Sequence, residues 1–384
     1  MATHTVNRDR ITTWNINKSN DTWILAERAK LRVDSDYAIF VDAGRTGNTI
    51  NVFGDITNNH ASGFGVADFG DGNTVTVGTD STVSAVIGLG FDGNDATLVN
   101  KGIIDASGFA VSGESASLRI VNSGQMKGVF GIHIGDGMIS NLRGGHVSGS
   151  QIGVVVEGNV KIVNSGVIEG ADYAIQVQSE QFRLVNHGRI LGDIDLGIGD
   201  DRLDTRNGEI KGTVYGHGGN DRYFVSSTKV DIIEQADEGE DTVNSTVTYT
   251  LGANLDHLVL LGKARINGTG NELDNFMTGN AGNNILKGMD GSDLLTGGRG
   301  SDRLFGGAGV DYFAFSKGDG IDTIKDYNDD EDIIAFRVFG GIDDFTDLTI
   351  KNKGGDAWIN LGGQRIVVEG AAGVLDDGDF AFNF

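Results

Sequence analysis

The chain has 384 residues, enough for two domains of ordinary size, with 61 glycines and neither proline nor cysteine. Glycine this abundant without proline excludes collagen-like and Pro-rich linker sequence and suits paired strands and tight turns, where a proline would remove a ladder hydrogen bond. The missing cysteines exclude disulfides, thiolate metal sites and thiol nucleophiles. A net charge of −24 excludes non-specific nucleic-acid binding and leaves a compact state self-repelling unless bound cations relieve it.

Residues 1–40 read as an N-terminal cap. ILAERAKL (24–31) is their helix-like stretch, and the basic residues of the first twenty are followed by no apolar run, which argues against a Sec-type signal. No run of about 20 apolar residues occurs, so no transmembrane segment is expected.

Residues 41–215 read as a parallel β-solenoid (β-helix) with coils of about 21 residues. A motif G-x-apolar-x-small begins at Gly102, Gly124, Gly145, Gly166, Gly188 and Gly208. Its apolar slot holds Ile104, Met126, Val147, Ile168, Ile190 and Ile210, and a second apolar row follows at Val111, Ile132, Val154 and Ile175. Asn100, Asn122, Asn164 and Asn186 stand two residues before the glycine, as expected of an amide ladder at a turn.

Residues 216–267 hold a glycine-rich turn, GHGGNDRYFV, and a connecting segment; 268–315 hold a second period, of nine. From Gly270 the chain reads GNELDNFMT, GNAGNNILK, GMDGSDLLT, GGRGSDRLF, GGAGVDYFA. The sixth position carries Asn275, Asn284, Asp293, Asp302 and Asp311; the eighth carries Met277, Leu286, Leu295, Leu304 and Phe313. Six residues can make a tight turn with carbonyls aimed at one spot, and the extended last three point the eighth residue into a shared core. Carboxylates with carbonyls make an all-oxygen site of the kind calcium takes. Two nonapeptides make a coil, so Asn275 should stack near Asp293, Asn284 near Asp302, and Asp293 near Asp311.

This segment resembles the RTX family, whose nonapeptide G-G-x-G-x-D-x-U-x forms a calcium-filled parallel β-roll. The resemblance implies several calcium ions between same-side turns, held by Asp293, Asp302 and Asp311, with Asn275 and Asn284 as departures that mark weaker sites or an end of the roll. It extends upstream to Asp221 and, more loosely, to Asp201 in LGIGDDRLD (196–204). Residues 316–384 are similar to the strands that cap such rolls, and the final LDDGDFAFNF is similar to the uncleaved segment read by type I (ABC) exporters. The fold expected is therefore all-β: a solenoid, then an RTX β-roll with capping strands.

No catalytic set is assigned. GLGFDG (88–93) fits G-x-G-x-x-G but is followed by Asn94 and Asp95 rather than a helix start. The histidines are scattered, with His133 and His146 in outward slots; Glu169, Asp172 and Arg189 are the one neighbouring charged set that could act on a sugar. The function expected is that of a secreted, extracellular calcium-binding surface, matrix or adhesion protein, with the exporter and cell-surface polysaccharide as partners. A polysaccharide-active enzyme (lyase, hydrolase or epimerase) and a secreted toxin or bacteriocin are the alternatives.

Overall fold

Apolar residues at two-residue spacing put one face of each short strand inward, and parallel stacking then lines identical positions into columns. The computed structural model, which describes residues 1–113, 117–179, 181–337, 342–361 and 363–382, is all-β. Among the described residues the helical turns are Phe345–Asp347 and Asp377–Asp379, and no helix is long and apolar enough to cross a membrane. The chain divides into two units, 1–218 with 230–232, and 219–229 with 233–384.

In the first unit the row Ile104, Met126, Val147, Ile168, Ile190 and Ile210 is paired residue to residue in parallel strands, and each member is buried. The second row, Val111, Ile132, Val154 and Ile175, is paired in the same way. Both rows reach further toward the N-terminus than the sequence motif does. Ile104 follows Val83, Ile56 and Leu31, while Val111 follows Leu89, Val66, Ile39 and Trp14.

Within residues 1–40 the strands Trp14–Ile16, Thr22–Leu25 and Lys30–Val33 pair with those of later coils, and ILAERAKL is not helical. Thr22–Leu25 and Lys30–Val33 are strands flanking a turn in which Ala29 N–H donates to Ala26 O and Arg28 has φ of 68°. The alternation Trp23, Leu25, then Leu31, Val33, buries four side chains against the next coil, and this overrides the helix propensity of the charged residues between them.

At one corner of the coil the glycines are sterically required. A Cβ on Gly124 would lie 2.1 Å from the Gly102 carbonyl oxygen, so the corner stacks only without side chains. Beside it runs the asparagine ladder, and it contains one member that the motif spacing skips. Each Nδ2 donates to the next Oδ1, from Asn100 to Asn122 (2.9 Å), Asn141 (2.9 Å), Asn164 (2.8 Å) and Asn186 (2.8 Å). All five are fully buried.

The second unit is a two-sided parallel roll. Thr242–Ser245, His257–Leu260, Phe276–Thr278, Leu294–Thr296, Tyr312–Ser316 and Ile333–Arg337 pair in sequence on one side. Tyr249–Thr250, Gly268–Thr269, Ile285–Asp290, Arg303–Ala308 and Ile321–Ile324 pair on the other. The eighth-position residues, Met277 to Phe313, fill the space between. Gln364–Val368 joins Ile321–Ile324 in parallel, after which Asp356–Leu361 and Thr349–Lys353 turn antiparallel and cap that sheet. Phe380–Phe382 pairs with Ile333–Arg337 and sets Phe380 and Phe382 against Phe336; Phe384 of the same terminal motif lies outside the described residues.

Replacing Asn141 with alanine removes two ladder bonds and deprives the buried Asn122 Nδ2 of its acceptor, while Asn164 Oδ1 keeps the Gly166 N–H. The cost expected is about 2–3 kcal/mol, read as a lowered midpoint in chemical denaturation of the full chain.

Candidate metal centre

The nonapeptide turns place their sixth residues one above another. Asn275 N–H donates to Asp293 Oδ1 at 2.8 Å and Asp293 N–H to Asp311 Oδ1 at 2.9 Å. On the opposite side Asn284 N–H donates to Asp302 Oδ1 at 2.6 Å. The eighteen-residue stacking expected from the repeat is present in all three pairs. Both columns continue past the last nonapeptide: Asp302 N–H donates to Asp322 Oδ1 at 2.9 Å, and Asp311 N–H to Asp332 Oδ1 at 3.0 Å. Sequence reasoning missed Asp322 and Asp332 because their separations are 20 and 21 residues, not 18. The signal that finds them is an acidic residue two before a buried apolar one, as in Asp322 and Ile324 or Asp332 and Ile334.

Each of these aspartates uses one oxygen to hold the preceding coil. The other oxygen, Oδ2 of Asp293, Asp302 and Asp311, is buried without a hydrogen-bond partner. The first glycine of the repeat folds directly over it. A Cβ would come 1.9 Å from Asp293 Oδ2 at Gly288, 2.7 Å from Asp302 Oδ2 at Gly297 and 2.1 Å from Asp311 Oδ2 at Gly306. Burial, reinforced by neighbouring carboxylates, pushes Asp293 up to about 7, Asp302 to about 8, Asp311 to about 6 and Asp322 to about 7. Asp319, Asp326 and Asp332 are raised as well, burial again being the largest cause. A stack of hard, desolvated oxygens that resist ionising alone has the donor chemistry of a calcium site.

The two asparagine turns are chemically different. Asn275 Nδ2 donates to the carbonyls of Leu255 and Asp256, both at 3.2 Å, and Asn284 Nδ2 to Ile266 O at 2.5 Å. Asn271 and Asn280, at the second position, donate to Leu255 O and Ala264 O in the same manner. Amide hydrogens thus engage carbonyls that would otherwise face one another.

Asp221 belongs to the column that leads to Asn275. Its N–H donates to Asp241 Oδ1 at 2.8 Å, and Asp241 N–H donates to Asp256 Oδ2 at 2.8 Å. Asp201 lies in the first unit, where its Oδ1 accepts from Phe182 N–H at 2.6 Å. It does the same structural work within a solenoid coil.

Of the charged set on the solenoid, Glu169 and Arg189 each pair with a residue outside the set. Glu169 Oε1 lies 3.0 Å from His146 Nε2, and Arg189 Nε donates to Glu209 at 3.1 Å. His133 pairs with Glu157 at 2.8 Å. Gly88 and Gly90 of GLGFDG lie within the strand Ile87–Phe91.

A family model of the RTX calcium-binding nonapeptide repeat matches in four copies, over residues 269–304, 278–313 and 287–324. The chain is also similar to the endo-1,3-1,4-beta-glycanase ExsH of Rhizobium meliloti, at 38% identity over 65 residues, covering 17% of this chain and 14% of that relative. One repeat position is strained. Met289 has φ of 97°, where the next two units have Gly298 at 82° and Gly307 at 114°. Met289→Gly should therefore stabilise the second unit by about 1 kcal/mol, seen as a higher denaturation midpoint. The matched nonapeptides, the eighteen-residue register and the stacked carboxylates agree: the roll of this chain is built of RTX calcium-binding repeats.

Proposed function

We propose that the chain is an exported calcium-binding protein whose roll completes its folding when calcium enters the turns outside the cell, and whose solenoid serves as a rigid face for a surface or matrix role. The observation that carries this reading is the set of buried, partnerless Oδ2 atoms on Asp293, Asp302 and Asp311. In this reading those three aspartates, with Asp322 and Asp332 extending their columns, hold ions between successive turns. Asn275 and Asn284 mark the end where amide hydrogens replace the metal, and Asp221 belongs to a further cation-binding turn. Asp201 is the weakest member of the set, since it stands in a solenoid coil.

Calcium acts here by mass action. Ions bind the folded turns and not the dispersed chain, so stability rises with free calcium. Where calcium is scarce the acidic repeats repel one another, which suits passage through a type I exporter in an extended form. The paired strand Phe380–Phe382 would form after that passage.

A glycan-active chain is the second reading, favoured by the likeness to the glycanase. The open groove of about 590 Å³ on the solenoid, lined by Thr57, His60, Ser84, Asp105 and Lys127 among others, has one carboxylate, Asp105, where the common glycosidase mechanisms use two. We expect no reducing-sugar release from bacterial exopolysaccharides; release that is lost in Asp105→Asn would establish this second reading instead.

Two tests address the calcium reading. Circular dichroism of the full chain should gain β signal on moving from EDTA to millimolar calcium, with Asp302→Ala raising the calcium midpoint about tenfold, or about 1.4 kcal/mol. An identical spectrum in EDTA overturns the reading. The second test is pH. In chelator, the folded roll holds protons on carboxylates whose values are raised to about 6–8, while the unfolded chain releases them near 3.8. The folded state then binds more protons, so stability in chelator should fall as pH rises from 5 to 8, whereas calcium affinity should rise over the same range as protons stop competing.

A further inference from the structure

Outside the residues matched by the nonapeptide model, the sequence DRYFV places a tyrosine, Tyr223, two residues after an acidic one, in the slot that Val243 and Leu258 fill in the next two coils. Its ring is fully buried in that position. A buried phenol needs a hydrogen-bond partner, and this one has two carboxylates. Tyr223 Oη donates to Glu234 Oε1 and stands 3.1 Å from Asp221 Oδ2. One hydroxyl proton cannot satisfy both acceptors at once.

The third acid is Asp241, which follows Asp221 in the same column. One carboxylate oxygen from each of Asp221, Glu234 and Asp241 lies within 4.8 Å of the others, and the three side chains are 0%, 4% and 1% exposed. Glu234 Oε2 is buried and has no hydrogen-bond partner. The carbonyl of Glu234 accepts from Asn254 Nδ2 at 2.9 Å, which fixes the backbone that carries the acid inward. Burial pushes Glu234 up to about 8 and Asp241 up to about 6, with the neighbouring carboxylates adding to both shifts.

We propose that Asp221, Glu234 and Asp241 form a separate divalent-cation site, selective for a hard ion such as calcium, with Tyr223 as the positioning residue that orients Glu234. The donor set is all oxygen, with no nitrogen or sulfur ligand to favour zinc. Three buried carboxylates carry a charge that low-dielectric surroundings do not tolerate unless a cation or added protons neutralise it, and a cation can use the unpartnered Glu234 Oε2 directly. The site differs from a nonapeptide turn in kind. Two of its acids come from successive turns of one column, but the third, Glu234, comes from the connecting segment, so an ion here would tie that segment to the turns. This inference stands independently of the nonapeptide sites.

The experiment counts calcium bound to the full chain at saturating free calcium, by equilibrium dialysis and metal analysis, for the wild type, Glu234→Gln and Asp302→Ala. Glu234→Gln should bind one ion fewer than the wild type, and its loss should add to that caused by Asp302→Ala in the double variant. An unchanged count in Glu234→Gln overturns the proposal, and points to a cluster neutralised by shared protons, whatever Asp302→Ala does. Should Glu234→Gln fail to fold, terbium luminescence excited through tyrosine decides. Emission should fall in Tyr223→Phe relative to the wild type, because this ring lies against the site, and equal emission from the two proteins overturns the proposal.

Discussion

The second unit depends on a column in which each acidic side chain does two things at once. One oxygen of Asp293, Asp302 or Asp311 receives the backbone amide of the coil before it, and so locks the coil spacing. The other oxygen is left buried with no partner, beneath a glycine that has no room for a side chain. The interaction that aligns the coils is thus the same one that gathers negative charge out of water. Hydrophobic burial of the eighth-position residues favours the roll, and the stacked carboxylates oppose it. A cation seated between the turns would offset that opposition.

The first unit solves the same stacking problem without charge. Its five-membered asparagine ladder presents a donor and an acceptor on every rung, so each amide from Asn122 onward both accepts from the coil before it and donates to the next coil. The asparagines at 275 and 284 bring this neutral solution into the roll, where they hydrogen-bond carbonyls directly. Two chemistries for one geometry therefore coexist along a single chain. The neutral one carries no titrating group, and the charged one is built of carboxylates.

Much of this was legible in the sequence, because a solenoid repeats its requirements. The apolar rows and the nonapeptide period fix which residues face inward, and the pairings among Asn275, Asp293 and Asp311 follow from counting eighteen. What the sequence hid were the places where the count changes. Asn141 stands four residues before its glycine instead of two, yet occupies the ladder, because the turn absorbs the difference. Asp322 and Asp332 are displaced by two and three residues for the same reason. ILAERAKL was misleading because charged, helix-favouring residues occupy a turn whose flanks are held by neighbouring coils. Glu234 carries no periodic signal at all, since its partners Asp221 and Asp241 lie in the stacked column while it arrives from the connection between them.

The last sheet of the roll ends on Thr349–Lys353, an antiparallel strand that is mostly exposed and bears Lys351 and Lys353. Parallel rolls are by nature open-ended templates, since any further coil of like sequence could dock on a bare edge. Reversing the strand direction and adding lysines makes that edge a poor seed for another molecule's repeats. An edge built this way disfavours edge-to-edge growth into fibres.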